Sequence, residues 1–234
     1  MDSLLTLSIG EYSSAEIVIR LTAALAVMAA ALLALSTSCV RQAMRFPLIL
    51  SAVALGGAAW FEMGVWSSWK EAFELAGTSY AVTGQLMADQ DRIIAWSLGV
   101  PALLFSLVLS RFSVERKNKL ILLMGGLFLA LALAAPFSSI LAIVILAYAA
   151  GLLFRNKAMN SSLEITLSVA FIFAGLAFSS LYSWHPFSFG GGVSGELVRG
   201  EIIRSLIDLF SLVVPALLLL IGTLRLSTTQ GSDS

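Results

Sequence analysis

The stretch Arg204–Leu220, RSLIDLFSLVVPALLLL, is apolar enough to lie in hydrocarbon, yet it carries a carboxylate at Asp208. An ionised group near a bilayer centre is expensive, and one that persists usually faces a partner or a cavity and marks a functional position. Within the stretch only Arg204, one turn before Asp208, could pair with it. Any other partner has to come from elsewhere in the chain.

The whole chain fits that setting. Its 234 residues are 59% hydrophobic and 12% charged, with a mean hydropathy of +0.94. Soluble domains carry about 25% charged residues, so a membrane protein with little soluble mass is expected. The formal net charge is zero, which gives no electrostatic footprint for nucleic acid. The single Cys39 excludes an internal disulfide and a cysteine metal cluster, and a packing role is expected for it. A lone histidine, His185, cannot build a metal site. No catalytic constellation stands out, and an enzyme is not expected. Met1-Asp2 lacks the basic start of a signal peptide, so the first apolar segment is expected to remain as a helix.

A helix needs about 20 mostly apolar residues to cross the hydrocarbon core. Segments of that kind run near 16–38, 46–68, 91–110, 119–135, 138–154, 162–186 and 201–224. They predict an all-α membrane protein, a seven-transmembrane helix bundle over residues 16–225. An outer segment 1–15 precedes it and a disordered tail 226–234 follows. The fourth and fifth spans are divided only by Pro136 and the serines after it, and fusing them would leave six. Arg41, Arg45, Arg111, Arg116, Lys117, Lys119, Arg155, Lys157 and Arg225 all fall on one side if there are seven. The positive-inside rule makes that side cytoplasmic, with the N-terminus outside and a multi-pass location in the cell membrane. The glycine-rich FGGGVSG at 189–195 reads as a flexible outer loop, because a phosphate cradle would need a Lys or Ser/Thr set in place.

Three motifs carry a family resemblance. In DRIIAWSLGVPALLFSLVLSRF the spacing of Arg92, Trp96 and Pro101 resembles the third helix of the microbial, bacteriorhodopsin-like rhodopsins. YSWHPFSFGG resembles that family's sixth-helix aromatic signature, through Tyr182, His185, Pro186 and Phe189. Asp208 takes the place of the seventh-helix counterion aspartate. Helix order, topology and length agree over nearly the whole chain.

The departures from that family decide the chemistry. The resemblance implies a retinal Schiff base on a lysine four residues after the aspartate, and Leu212 stands there. The lysines are Lys70, Lys117, Lys119 and Lys157, all in loops or at helix ends. Ala95 replaces the primary counterion, and Ser106 takes the place of the cytoplasmic proton donor. Losing amine and counterion together is coherent, since a counterion without its cation would be a buried unpaired charge. No covalent cofactor and no conventional light-driven proton pump are expected; noncovalent retinal or carotenoid remains open.

The resemblance also places Arg92 and His185 beside Asp208, giving an expected Arg92–Asp208–His185 cluster, with Arg204 as a competing partner. Such a cluster either glues helices together or forms a working proton or ligand site; His185 could titrate near pH 6.5. Glu62 either joins it or reaches the membrane interface. Glu16 and Arg20 are spaced for an ion pair within one helix, with snorkelling as the default. Trp60, Trp66, Trp69 and Trp184 read as an interfacial belt. Trp96, Pro101, Tyr182, Pro186 and Phe189, with Leu212, Ala95 and Ser106, would line the remnant chromophore pocket. The expected role is interaction, scaffolding or signalling within the lipid bilayer, as a homo-oligomer or with a membrane-protein partner. The alternatives are a noncovalent retinal or carotenoid photosensor, and a channel or transporter on the same frame.

Overall fold

The computed structural model describes residues 6–85 and 192–229, together with Ile94, Ala95, Gly99, Val100, Ala102, Leu103 and Ser106. The expected fourth, fifth and sixth spans lie outside the described residues, as do Arg92, Trp96, Pro101, Tyr182, His185, Pro186 and Phe189.

Helix α1 runs Ile9–Ser36 and ends in a 3-10 turn, Thr37–Cys39. It begins before residue 16 because Ser8 and Glu11 form a capping box. The Ser8 amide donates to Glu11 Oε2 at 2.9 Å, and the Glu11 amide donates to Ser8 Oγ at 3.2 Å. Two amides that would otherwise lack acceptors are satisfied there, outside the apolar window that set the expectation. Helix α2 runs Gln42–Ala72 and likewise outlasts its apolar core. The two pack along a face of α1 lined by Ala15, Ile19, Ala23, Ala26, Ala29 and Leu33, all buried. Alanines at helical spacing let backbones approach closely, which is how helices associate in lipid. Cys39 is exposed in the turn, so the packing role expected for it is not seen.

A small antiparallel sheet caps one end of this pair. Its strands are β1 (Thr6–Ser8), β2 (Phe73–Ala76) and β3 (Ser79–Val82), in the order β1-β3-β2. Gly77 and Thr78 join β2 to β3, and Gly77 sits at φ +69°, where a Cβ is disfavoured. Beneath the sheet Tyr12 stacks on Tyr80 at 3.7 Å between centroids, with Trp69, Phe73 and Leu7 packed around them. Trp69 is therefore core and not belt, unlike the outward Trp60.

Helix α3 (Gly192–Asp208) starts at the sheet end, where Val198 joins the same aromatic cluster. Gly192–Gly195 are helical, so the expected flexible loop is shorter than 189–195. A single π turn, Leu209–Val213, leads into α4 (Val214–Thr229), which carries helix into the expected tail. The π turn has a local cause in Pro215. Proline has no N–H to give the Ser211 carbonyl and its ring crowds that oxygen; a wider turn relieves the clash. The Val214 amide reaches back to the Leu209 carbonyl. At the far end the Arg41 amide donates to Ser227 Oγ at 3.3 Å, so the α1–α2 turn meets the close of α4.

Three described helical stretches, Ile9–Cys39, Met44–Ala72 and Gly195–Arg225, are long and apolar enough to cross a membrane. Ser8→Ala should remove one cap and lower stability by about 1 kcal/mol, read as an earlier unfolding midpoint in detergent.

Candidate functional site

The site is organised by one contact layer. A Cβ on Gly99 would lie 2.8 Å from Leu212 Cδ2 and 3.7 Å from the Ala58 Cβ. Leu212 is 2% exposed and packs where α2, the helix carrying Gly99 and the π turn meet. The position at which the resemblance would require an amine is thus filled by an aliphatic side chain lodged in a glycine notch. Sequence reasoning named Leu212 and Ala95 but missed Gly99, whose only signal was a small residue one turn after Ala95.

One helical turn nearer the sheet lies a second layer. Glu62 follows Ala58 by four residues, Ala95 precedes Gly99 by four and Asp208 precedes Leu212 by four. At 3.6 residues per turn each keeps its face. Glu62 is 1% exposed, Asp208 2% and Ala95 fully buried. Of the two open destinations for Glu62, the bundle interior is the one observed. Neither carboxylate stands alone, since each has a polar or electrostatic partner. Where the helix bearing Ala95 offers only a methyl group, α2 supplies a carboxylate to the same depth.

A polar stripe continues along α3 toward the sheet. Buried Glu201 accepts from Arg204 Nη1 at 3.0 Å, an i, i+3 ion pair with the guanidinium half in the open. Arg204, one turn sheetward of Asp208, thus pairs with an acid on its own helix. Glu201 had not been singled out, although Glu201, Ser205 and Asp208 follow a 4-then-3 spacing that puts them on one face. Thr22 Oγ1 donates to the Ser205 carbonyl at 3.3 Å and to its own Val18 carbonyl at 3.0 Å, tying α1 to α3. In the half away from the sheet the buried polar side chains described are hydroxyls. Ser106 donates to the Ala102 carbonyl at 2.8 Å and Thr223 to Leu220 at 2.8 Å, while Ser51 is fully buried. Ser211 also donates within its own helix, to the Ile207 carbonyl. Among the described residues no group of His, Cys, Asp and Glu is arranged to hold a metal.

At the surface, the Glu16–Arg20 ion pair that the spacing allowed is not formed. Glu16 instead accepts from Trp66 Nε1 at 3.3 Å, and the Arg20 guanidinium lies over the Trp66 ring at 5.8 Å.

This architecture is the microbial-rhodopsin fold, and the chain is a multi-pass membrane protein. The structure is similar to that of xanthorhodopsin, a light-driven ion pump with dual chromophore: TM-score 0.85 and 21% identity, covering 98% of this chain and 99% of the other. It is also similar to thermophilic rhodopsin (TM-score 0.78, 24% identity, 97% and 99% covered). The blue light-absorbing proteorhodopsin from Med12 gives TM-score 0.58 and 17% identity, with 94% and 99% covered. Comparison of the sequence with protein-family models and with curated proteins finds no match.

Gly99→Ala should destabilise the protein by about 1–3 kcal/mol, because Leu212 has to leave a packed position. Adding Leu212→Ala should recover part of that loss. Additive effects in a double-mutant cycle would contradict the notch.

Proposed function

We propose that this protein is a divergent seven-helix rhodopsin, N-terminus outside, that forms no retinal Schiff base and acts through contacts within the membrane rather than as a light-driven pump. The observation that carries the reading is Leu212, buried against Gly99 and Ala58 where the resemblance requires a lysine. An alkyl side chain offers no nucleophilic nitrogen, and its methyls take up space that a polyene bound there would need. Several features support the topology. α2 ends and α3 begins at the sheet end, so an even number of crossings joins them, which seven spans satisfy and six do not. Arg41, Arg45 and Arg225 gather at the opposite end, which the positive-inside rule assigns to the cytoplasm.

The carboxylates support a structural role over transport. Among the described residues Glu62, Glu201 and Asp208 occupy the sheet half, and the buried polar side chains of the other half are hydroxyls, of which Ser106, Ser211 and Thr223 bond within their own helices. Serine and threonine titrate far from neutrality and make poor proton relays, so a charge path built from the described residues would stop midway. The Arg92–Asp208–His185 cluster then serves as glue among helices three, six and seven. The partner is a second copy or another membrane protein.

One observation favours a second reading, a noncovalent retinal or carotenoid photosensor. The neighbour matched at TM-score 0.85 is a pump with dual chromophore, so this fold accommodates more than one pigment.

Expression with all-trans retinal separates the two. The interaction role gives a colourless protein; a visible band that survives hydroxylamine overturns it in favour of noncovalent binding. The variant Leu212→Lys with Ala95→Asp should acquire a hydroxylamine-sensitive pigment. If it folds and stays colourless, Leu212 does not face a remnant pocket.

A further inference from the structure

We infer that Arg20 and Lys70, set around Trp66 at the sheet end of α1 and α2, form a binding site for the phosphodiester headgroup of an anionic lipid. The Arg20 guanidinium lies 5.8 Å and the Lys70 ammonium 4.9 Å from the centroid of the Trp66 ring, so the two charges are less than 11 Å apart. Neither has a carboxylate within ion-pair reach among the described residues, and both side chains are exposed. The nearby acids are engaged elsewhere: Glu16 accepts the Trp66 indole N–H at 3.3 Å and Glu71 accepts from Ser67 Oγ at 3.2 Å. An indole N–H lies in the plane of the ring, so Glu16 holds the edge of Trp66 and the cations keep to its faces. The ring limits how far the two long side chains wander, which lowers the entropy lost when an anion bridges them.

Depth selects a headgroup as the occupant. At about 1.5 Å per residue, α2 advances about 30 Å between Phe46 and Trp66, which is the thickness of the hydrocarbon core. Phe46, Ile49, Val53, Trp60 and Met63 along that length are exposed, as a lipid-facing surface should be. Trp66 therefore sits at the boundary plane, with Lys70 one turn further into the headgroup layer and Arg20 reaching up beside it. Phosphate oxygens of the adjacent leaflet lie at that height, and a lipid with net negative charge supplies the anion that the two cations lack. Choline and ethanolamine lipids carry their own cation and satisfy the pair less well.

The test uses the full-length protein in detergent, titrated with phosphatidylglycerol, phosphatidylcholine or inorganic phosphate, with bound lipid counted by native mass spectrometry. Phosphatidylglycerol should be preferred. Arg20→Gln and Lys70→Gln should each weaken it roughly fivefold and the double variant about 30-fold. Glu16→Gln removes a neighbouring negative charge and should tighten it, a gain that loss of folding cannot imitate. Retention of the wild-type preference in Arg20→Gln/Lys70→Gln overturns the site. Equal occupancy by inorganic phosphate overturns the lipid assignment, because the pair would then be an anion site open to solvent.

Discussion

The arrangement turns on a single van der Waals contact, the side chain of Leu212 in the notch left by Gly99. A glycine there lets the helix that carries it approach α2 and the π turn closely, and the leucine fills the space a side chain would have taken. Close approach brings the neighbouring layer together too, so that Glu62, Ala95 and Asp208 share one depth. The apolar contact and the polar layer lie one helical turn apart along the same helices.

Much of the frame was legible in the sequence, for a plain physical reason. Hydrocarbon penalises polar side chains strongly, so long apolar runs such as 16–38 and 46–68 report spans directly. The same signal is blind to where a helix ends once it leaves the bilayer. Ser8 and Glu11 begin α1 through a local exchange of hydrogen bonds that hydropathy does not register. The hairpin at Gly77-Thr78 was not foreseen in a chain expected to be all-α, because its strands are only four residues each and largely exposed, so periodicity had little to show. Pro215 was visible in the opening stretch, and its effect, a π turn rather than a break, depends on neighbouring helices holding the segment in register.

The site was legible where chemistry is a matter of residue type. Leu212 and Ala95 were singled out only because the resemblance implies a lysine and an aspartate at those places. What spacing could not give was the third dimension. Glu62 looked as suited to the interface as to the core, because its place in AAWFEMGVW fits both. Its burial against neighbouring helices, at 1% exposure, assigns it to the interior. Trp66 and Trp69, three residues apart, illustrate the same limit. Trp66 is half-buried among Glu16, Arg20 and Lys70 while Trp69 is fully buried in the aromatic cluster under the sheet.

The two halves of the bundle differ in a way that follows from the cost of charge. A carboxylate survives in a low-dielectric interior only with compensation close at hand, and a half-buried Arg204 on Glu201 is one such compensation near the sheet end. A hydroxyl needs less, since it can return its proton to a carbonyl one turn earlier on its own helix, as Ser106 and Thr223 do. The middle layer holds the apolar Leu212 and Ala95, and beside them the buried carboxylates of Glu62 on α2 and Asp208 on α3. Charge is thus confined to the sheet half of the described bundle, where a guanidinium is at hand, and the opposite half is left to hydroxyls.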